Sequence, residues 1–210
     1  FKDKNIAKED KYYWSFLNQY PVVHINMKSV LVNPYSSIQD SASDLVSTLY
    51  REYAYLLDSE NLLGIDKQEI NLLINGQADY KLLSKSIGRL TYYLQKHFAK
   101  KAILLIDEYD APIQSAYENG QYKEAISFLK DFYGEALKDN NNLFFAIVTG
   151  VVEIGEESLF SGLNNLLVCP INENRFSSYF GFTQKEVEEI IAYYDLPIAY
   201  EELKTNYGGY

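Results

Sequence analysis

The residues best placed to do chemistry sit in AILLIDEYD, Ala102 to Asp110. Five apolar residues run directly into Asp107 and Glu108, and a third carboxylate follows at Asp110. A carboxylate fixed at a rigid strand end is a hard oxygen donor of the kind Mg²⁺ prefers, because that ion keeps several waters and accepts one or two protein oxygens. A second carboxylate beside it can orient a water or take its proton. Successive strand residues point to opposite faces, so Asp107 and Glu108 can divide these tasks. The competing reading is that the acids only mark where the strand meets solvent. Asp110 fits a turn-capping role, or a like charge tuning Glu108.

A second stretch, FFAIVTG, places the hydroxyl of Thr149 at the matching end of another apolar run. A strand ending in Asp-Glu, a helix, and a strand ending in a polar residue form the Walker B and sensor arrangement of P-loop ATPases. There Asp107 would anchor Mg²⁺, Glu108 would act as base, and Thr149 would touch the γ-phosphate or the attacking water; a capping hydroxyl in the following turn is the alternative for Thr149. The phosphate loop G-x-x-x-x-G-K-[ST] has no match. GVVEIGEES, Gly150 to Ser158, has the glycine spacing but carries Glu156 where the lysine belongs, and a carboxylate there would repel a polyphosphate.

Arg175 is the only arginine after residue 89. It could meet a γ-phosphate or form a surface salt bridge. Asn164 and Asn165 could bond a nucleotide or stabilise a turn. His24 reads as a packed strand histidine, and His97 as a helix-end residue complementing the dipole.

These residues need a scaffold. YPVVHINM, KAILLIDEY, NLFFAIVTG and LLVCPI read as strands. Helices are expected from Ser36 or Ser37 onward, over about Lys67–Ile74 and Tyr80–Phe98, through YKEAISFLKDFYGEALKD, and after Thr183, where Glu186 completes a capping box. Continuous apolar strands separated by helices predict an α/β fold: a mainly parallel sheet with helices on both faces. In such sheets ligands bind beyond the carboxyl ends of the strands.

Composition bounds the rest. The 210 residues are 47% hydrophobic, which suits a globular chain. No run approaches the ~18 apolar residues of a membrane helix. The charged start, FKDKNIAKED, shows no secretion signal, and because Phe1 is not Met the true start is expected upstream. One cysteine, Cys169, agrees with a reducing, cytoplasmic setting. A net charge of −10 argues against a general nucleic-acid surface. The 20 tyrosines are expected in packing and at half-exposed positions.

Taken together, YPVVHIN, AILLIDEYDAPI, FFAIVTGVV, SLFSGLNNL and FGFTQKEVEEII resemble the AAA-ATPase-like family of bacteria, across nearly all of the chain. NYGGY is similar to its aromatic-Tyr-x-Gly-Tyr segment, with Asn206 at the aromatic position. The resemblance implies ATP and Mg²⁺ as cofactors, an Arg-rich phosphate loop upstream of Phe1, and a nuclease-like domain after Tyr210. Nucleic acid would be met only through that domain, and no membrane is implied. It further implies an α/β core over 1–175 lacking its phosphate-loop strand, and a small helical lid segment beginning in 176–210. That missing strand would lie between the Thr149 strand and the LLVCPI strand, so the sheet should show a gap. A non-hydrolysing interaction module, and a nuclease using Asp107, Glu108 and Asp110 as metal ligands, are the other readings.

Overall fold

Pro21 precedes a β-branched run, and the chain extends there into β1 (Val22–Asn26). The computed structural model describes residues 4–151, 159, 160, 166–170, 176 and 181–208. In chain order, a short helix α1 (Lys11–Trp14) precedes β1, followed by α2 (Ile38–Glu52), α3 (Gly64–Ile74), α4 (Tyr80–Phe98), β2 (Ala102–Asp107), α5 (Ala111–Glu118), α6 (Tyr122–Leu137) and β3 (Leu143–Val148). Helices α7 (Gln184–Tyr193) and α8 (Tyr200–Tyr207) come last. The chain divides into two compact units, Phe1–Leu163 and Asn164–Tyr210.

The three strands form one parallel sheet in the order β1-β2-β3. The register pairs Val23 with Leu104, Ile25 with Ile106 and Asn26 with Asp107, then Leu105 with Ile147 and Ile106 with Val148. Val23, Ile25, Leu104 and Ile106 therefore share one face, and all four are buried. They join a core with Val46 and Tyr50 of α2, Ile70 of α3, Leu90 and Leu94 of α4, and Phe128, Leu129 and Phe132 of α6.

The opposite face departs from expectation. Among the described residues it is not covered: Val22, His24 and Asn26 are exposed, Ile103, Leu105 and Asp107 are half-buried, and Phe145 and Ile147 are exposed. Of the helices expected on both faces, the described residues place a packed core against one face only. His24, expected to be packed, points to the open side for the same reason, since it alternates with Val23 and Ile25. LLVCPI is corrected too. Residues 166–170 form no strand, and Ile171 lies outside the described residues. Among the described residues, β3 has no strand beyond it.

The helices follow local signals. Ser37 and Asp40 form a reciprocal capping box at the start of α2, and Thr183 and Glu186 do the same for α7. Those bonds to the charged form hold both carboxyls below their usual range. Asp79 caps α4 by accepting from the Leu82 N–H at 2.8 Å. Helix α3 begins three residues earlier than its periodicity suggests, because Asp66 reaches back to the Leu63 N–H at 3.0 Å and needs no polar residue at the cap. Helices α4 and α6 pack closely at Gly88, where a Cβ would lie 2.6 Å from the Glu135 carbonyl oxygen.

Several tyrosines are core residues whose hydroxyls find partners. Tyr50 donates to the Ser86 carbonyl at 2.6 Å, Tyr93 to Glu69 at 2.5 Å, and Tyr133 to the Tyr109 carbonyl at 3.0 Å. Burial above all, then nearby negative groups, pushes these three phenols above their ordinary value of 10.0, and half-buried Tyr53 up to about 12. A folded-state pKa above the unfolded one gives stability that is complete below the unfolded value and lost as pH rises past it. The urea midpoint is therefore expected to hold from neutral pH to about 9 and to fall steeply beyond about 10, with Tyr133→Phe showing a shallower fall. An unchanged slope in that variant would show that Tyr133 ionises freely in the folded protein.

Candidate functional site

Strand β2 carries Asp107 at its last position, level with Asn26 of β1 and on the open face. The chain then turns sharply. Glu108 adopts a left-handed backbone (φ 53°), a conformation uncommon for a residue with a side chain and often found where function holds the chain in place. Its N–H donates to Asp107 Oδ1 at 3.1 Å, and its carbonyl accepts from the Ala111 N–H at 3.1 Å, which closes the turn into α5. Pro112 suits the first turn of that helix, where a missing N–H leaves no bond unmade.

Backbone pairing between the strands continues past β3. The Thr149 N–H donates to the Ile106 carbonyl at 2.8 Å, and the Tyr109 N–H donates to the Thr149 carbonyl at 3.0 Å. This brings the Thr149 hydroxyl to Asp107, where it donates to Oδ1. Asp107 thus uses one oxygen for two protein donors. No hydrogen bond to its Oδ2 comes from the described residues, so a hard cation bound there would find one oxygen available.

Glu108 points elsewhere. Its Oε1 lies 3.8 Å from the Lys28 ammonium, with 35% of the Glu108 side chain and 75% of the Lys28 side chain exposed. Lys28 follows Asn26, whose side chain accepts from the Lys28 N–H at 2.9 Å and starts a single tight turn over Met27–Ser29. Neither Asn26 nor Lys28 is singled out by the acid motif. Their signal is positional: Asn26 is the polar residue ending the first apolar strand, as Asp107 ends the second.

Asp110 turns away from the other two acids. It is 2% exposed, and both its oxygens face the Val151 N–H, at 3.3 and 3.2 Å. The three carboxylates do not converge, and the described residues contain no group of three or more His, Cys, Asp or Glu able to hold a metal ion. The three-carboxylate nuclease site is not assembled. Of the other candidates, Arg175, Glu156, Asn164 and Asn165 lie outside the described residues.

A strand-end carboxylate is thus bonded to a hydroxyl just past the end of the next parallel strand, and a glutamate follows it in the chain. The model of the AAA-ATPase-like family, described as a predicted AAA-ATPase, matches residues 1–160. The chain belongs to the AAA-ATPase-like family. A relative described as an uncharacterized protein in the vnfD 5'region of Azotobacter chroococcum mcd 1 is 32% identical over 199 residues. The match takes in 94% of this chain and 34% of that protein, so the chain spans about a third of the relative. No solved structure matches the chain. No helix among the described residues is long and apolar enough to cross a membrane.

The Lys28–Glu108 pair joins two solvated groups, and such pairs contribute about 0–1 kcal/mol. Lys28→Ala is therefore expected to shift unfolding free energy by less than about 0.5 kcal/mol in a urea titration. A loss above about 2 kcal/mol would mean that the lysine carries packing the ion pair does not account for.

Proposed function

We propose that this AAA-ATPase-like chain is the catalytic half of an ATP-hydrolysing P-loop site. The observation that carries the reading is the hydrogen bond from Thr149 to Asp107 across the carboxyl ends of adjacent parallel strands, with Glu108 next in the chain. Asp107 would hold Mg²⁺ through Oδ2, and the ion would neutralise charge on the phosphates. Glu108 orients the attacking water and accepts its proton. Thr149 keeps Asp107 in place through one oxygen and, like Arg175, would approach the γ-phosphate.

The phosphate cradle belongs, in this reading, to a further strand and loop beside β3. The edge of β3, which no strand among the described residues pairs, supports it together with exposed Phe144, Phe145 and Ile147, because an apolar strand left open at an edge invites pairing. Residues 1–175 would form the core and 176–210 the start of a helical lid. A nuclease-like domain in the full-length protein would be the partner that hydrolysis drives, in the cytoplasm.

A non-hydrolysing interaction module is the second reading, favoured by the Lys28–Glu108 pair, which gives the base a cation instead of a water. Both readings are tested in the full-length protein with ATP and Mg²⁺. Glu108→Gln is expected to bind ATP within about twofold of wild type and to lose turnover by about 10²-fold or more. Asp107→Asn is expected to lose the Mg²⁺ dependence of binding. Equal turnover in Glu108→Gln would remove Glu108 as base, and wild-type binding without turnover would favour the second reading.

A further inference from the structure

We propose that Asp110 is a positioning residue: it grips the turn after β3 and so sets where the Thr149 hydroxyl stands against Asp107. The inference rests on the hydrolytic reading above and assigns a further residue to it.

A carboxylate removed from water is costly unless donors meet it. Asp110 is almost wholly buried, and among the described residues it meets one donor on α5 and one beyond β3. Both oxygens face the Val151 N–H, and Oδ2 also accepts from Gln114 Nε2 at 3.0 Å. The residue precedes α5, yet its side chain makes no cap bond to that helix. The role expected of an aspartate at this position is given up, and the carboxylate holds the strand-end turn instead.

Gly150 makes this grip possible. A Cβ there would lie 2.7 Å from Asp110 Oδ1 and 2.6 Å from Tyr109 Cδ1, closer than real Cβ contacts allow. The turn is therefore pressed onto Asp110 and the Tyr109 ring with no room for a side chain. Tyr109 is itself braced: its carbonyl accepts from buried Tyr133, and Phe160 packs its ring 5.2 Å from Tyr109 and 6.0 Å from Tyr133. Thr149 is thus held before and after. Its own N–H and carbonyl are fixed by Ile106 and Tyr109, and the residue two positions on is fixed by Asp110. A hydroxyl that must meet one carboxylate oxygen within hydrogen-bond range tolerates little drift.

The test uses the full-length protein, with Asp110→Asn, Thr149→Val and the double variant, read as kcat and KM for ATP. Asp110→Asn keeps the shape but replaces an acceptor oxygen by a donor facing Val151. The expected result is a kcat loss of about tenfold or more with KM within about twofold, and no further loss when Asp110→Asn is added to Thr149→Val, since coupled residues do not add. Gly150→Ala disturbs the same grip from the other side and is expected to give the same pattern, which covers the case of an Asp110 variant that fails to fold. A multiplicative loss in the double variant, or wild-type kcat in both single-site disruptions, overturns the proposal. Hydrogen exchange of the Val151 amide gives a readout free of turnover: exchange about tenfold faster or more in Asp110→Asn is expected. If the wild-type protein turns over no ATP, the hydrolytic reading falls, and unchanged Val151 exchange would then overturn the grip on its own.

Discussion

The constraint on which this structure depends is that three parallel strands must end level with one another. Parallel strands cannot be joined by tight turns, so each connection crosses over through helices and returns the chain to the same end of the sheet. Helices α2, α3 and α4 carry the chain from β1 to β2, and α5 and α6 carry it from β2 to β3. Asn26, Asp107 and Thr149 meet only because those crossovers have the right span. The close approach of α4 and α6 at Gly88 is part of that span, since both helices press on the same buried face of the sheet.

Much of this was legible in the residues. The strand ending in Asp107 and the strand ending in Thr149 announce themselves as β-branched or aliphatic runs that stop at a polar group, and parallel pairing then dictates that the polar groups are neighbours. Ser37, Asp79 and Thr183 mark helix starts through ordinary capping chemistry. What stayed hidden depends on tertiary context. An apolar run suggests burial on both faces, but Val22 and Ile147 face the open side, and no local pattern distinguishes a covered face from one awaiting a cover. LLVCPI has strand composition without strand pairing over 166–170, because propensity for strand is largely propensity to pack against a neighbour. Lys28 was missed because its meaning lies in where Glu108 turns, and that follows from a left-handed backbone no sequence pattern signals.

Among the described residues, the exposed face of the sheet and the margin of β3 share one apolar surface. Phe144 stacks on Tyr20 at 4.3 Å between ring centroids, and Phe16 continues the stack at 6.4 Å from Tyr20. These rings shield part of the β3 margin, yet Phe144, Phe145 and Ile147 each keep 43% or more of their surface exposed. Covering such a margin is favourable, since apolar area removed from water is worth about 25 cal/mol per Å². The same margin borders Thr149. The exposed rings and the Thr149–Asp107 bond therefore lie on one strand and its immediate continuation.

Charge explains why the third acid is hidden. The chain carries 29 acidic against 19 basic residues, so clustered carboxylates repel one another with little basic charge to offset them. Asp107 and Glu108 stand at the rim with a hydroxyl and a lysine beside them. Had Asp110 pointed the same way, three carboxylates would share one small region, and each would resist the ionisation of the others. Burial behind Gly150 and Tyr109 removes that charge from the rim and gives it backbone and amide donors in place of water. It also acts on the interior: after burial itself, the Asp110 charge is the next cause that raises the Tyr133 phenol, whose hydroxyl donates to the Tyr109 carbonyl. Buried Asp110 therefore meets donors at the strand-end turn beside the tyrosine that braces Tyr109, while Asp107 and Glu108 remain at the end of β2.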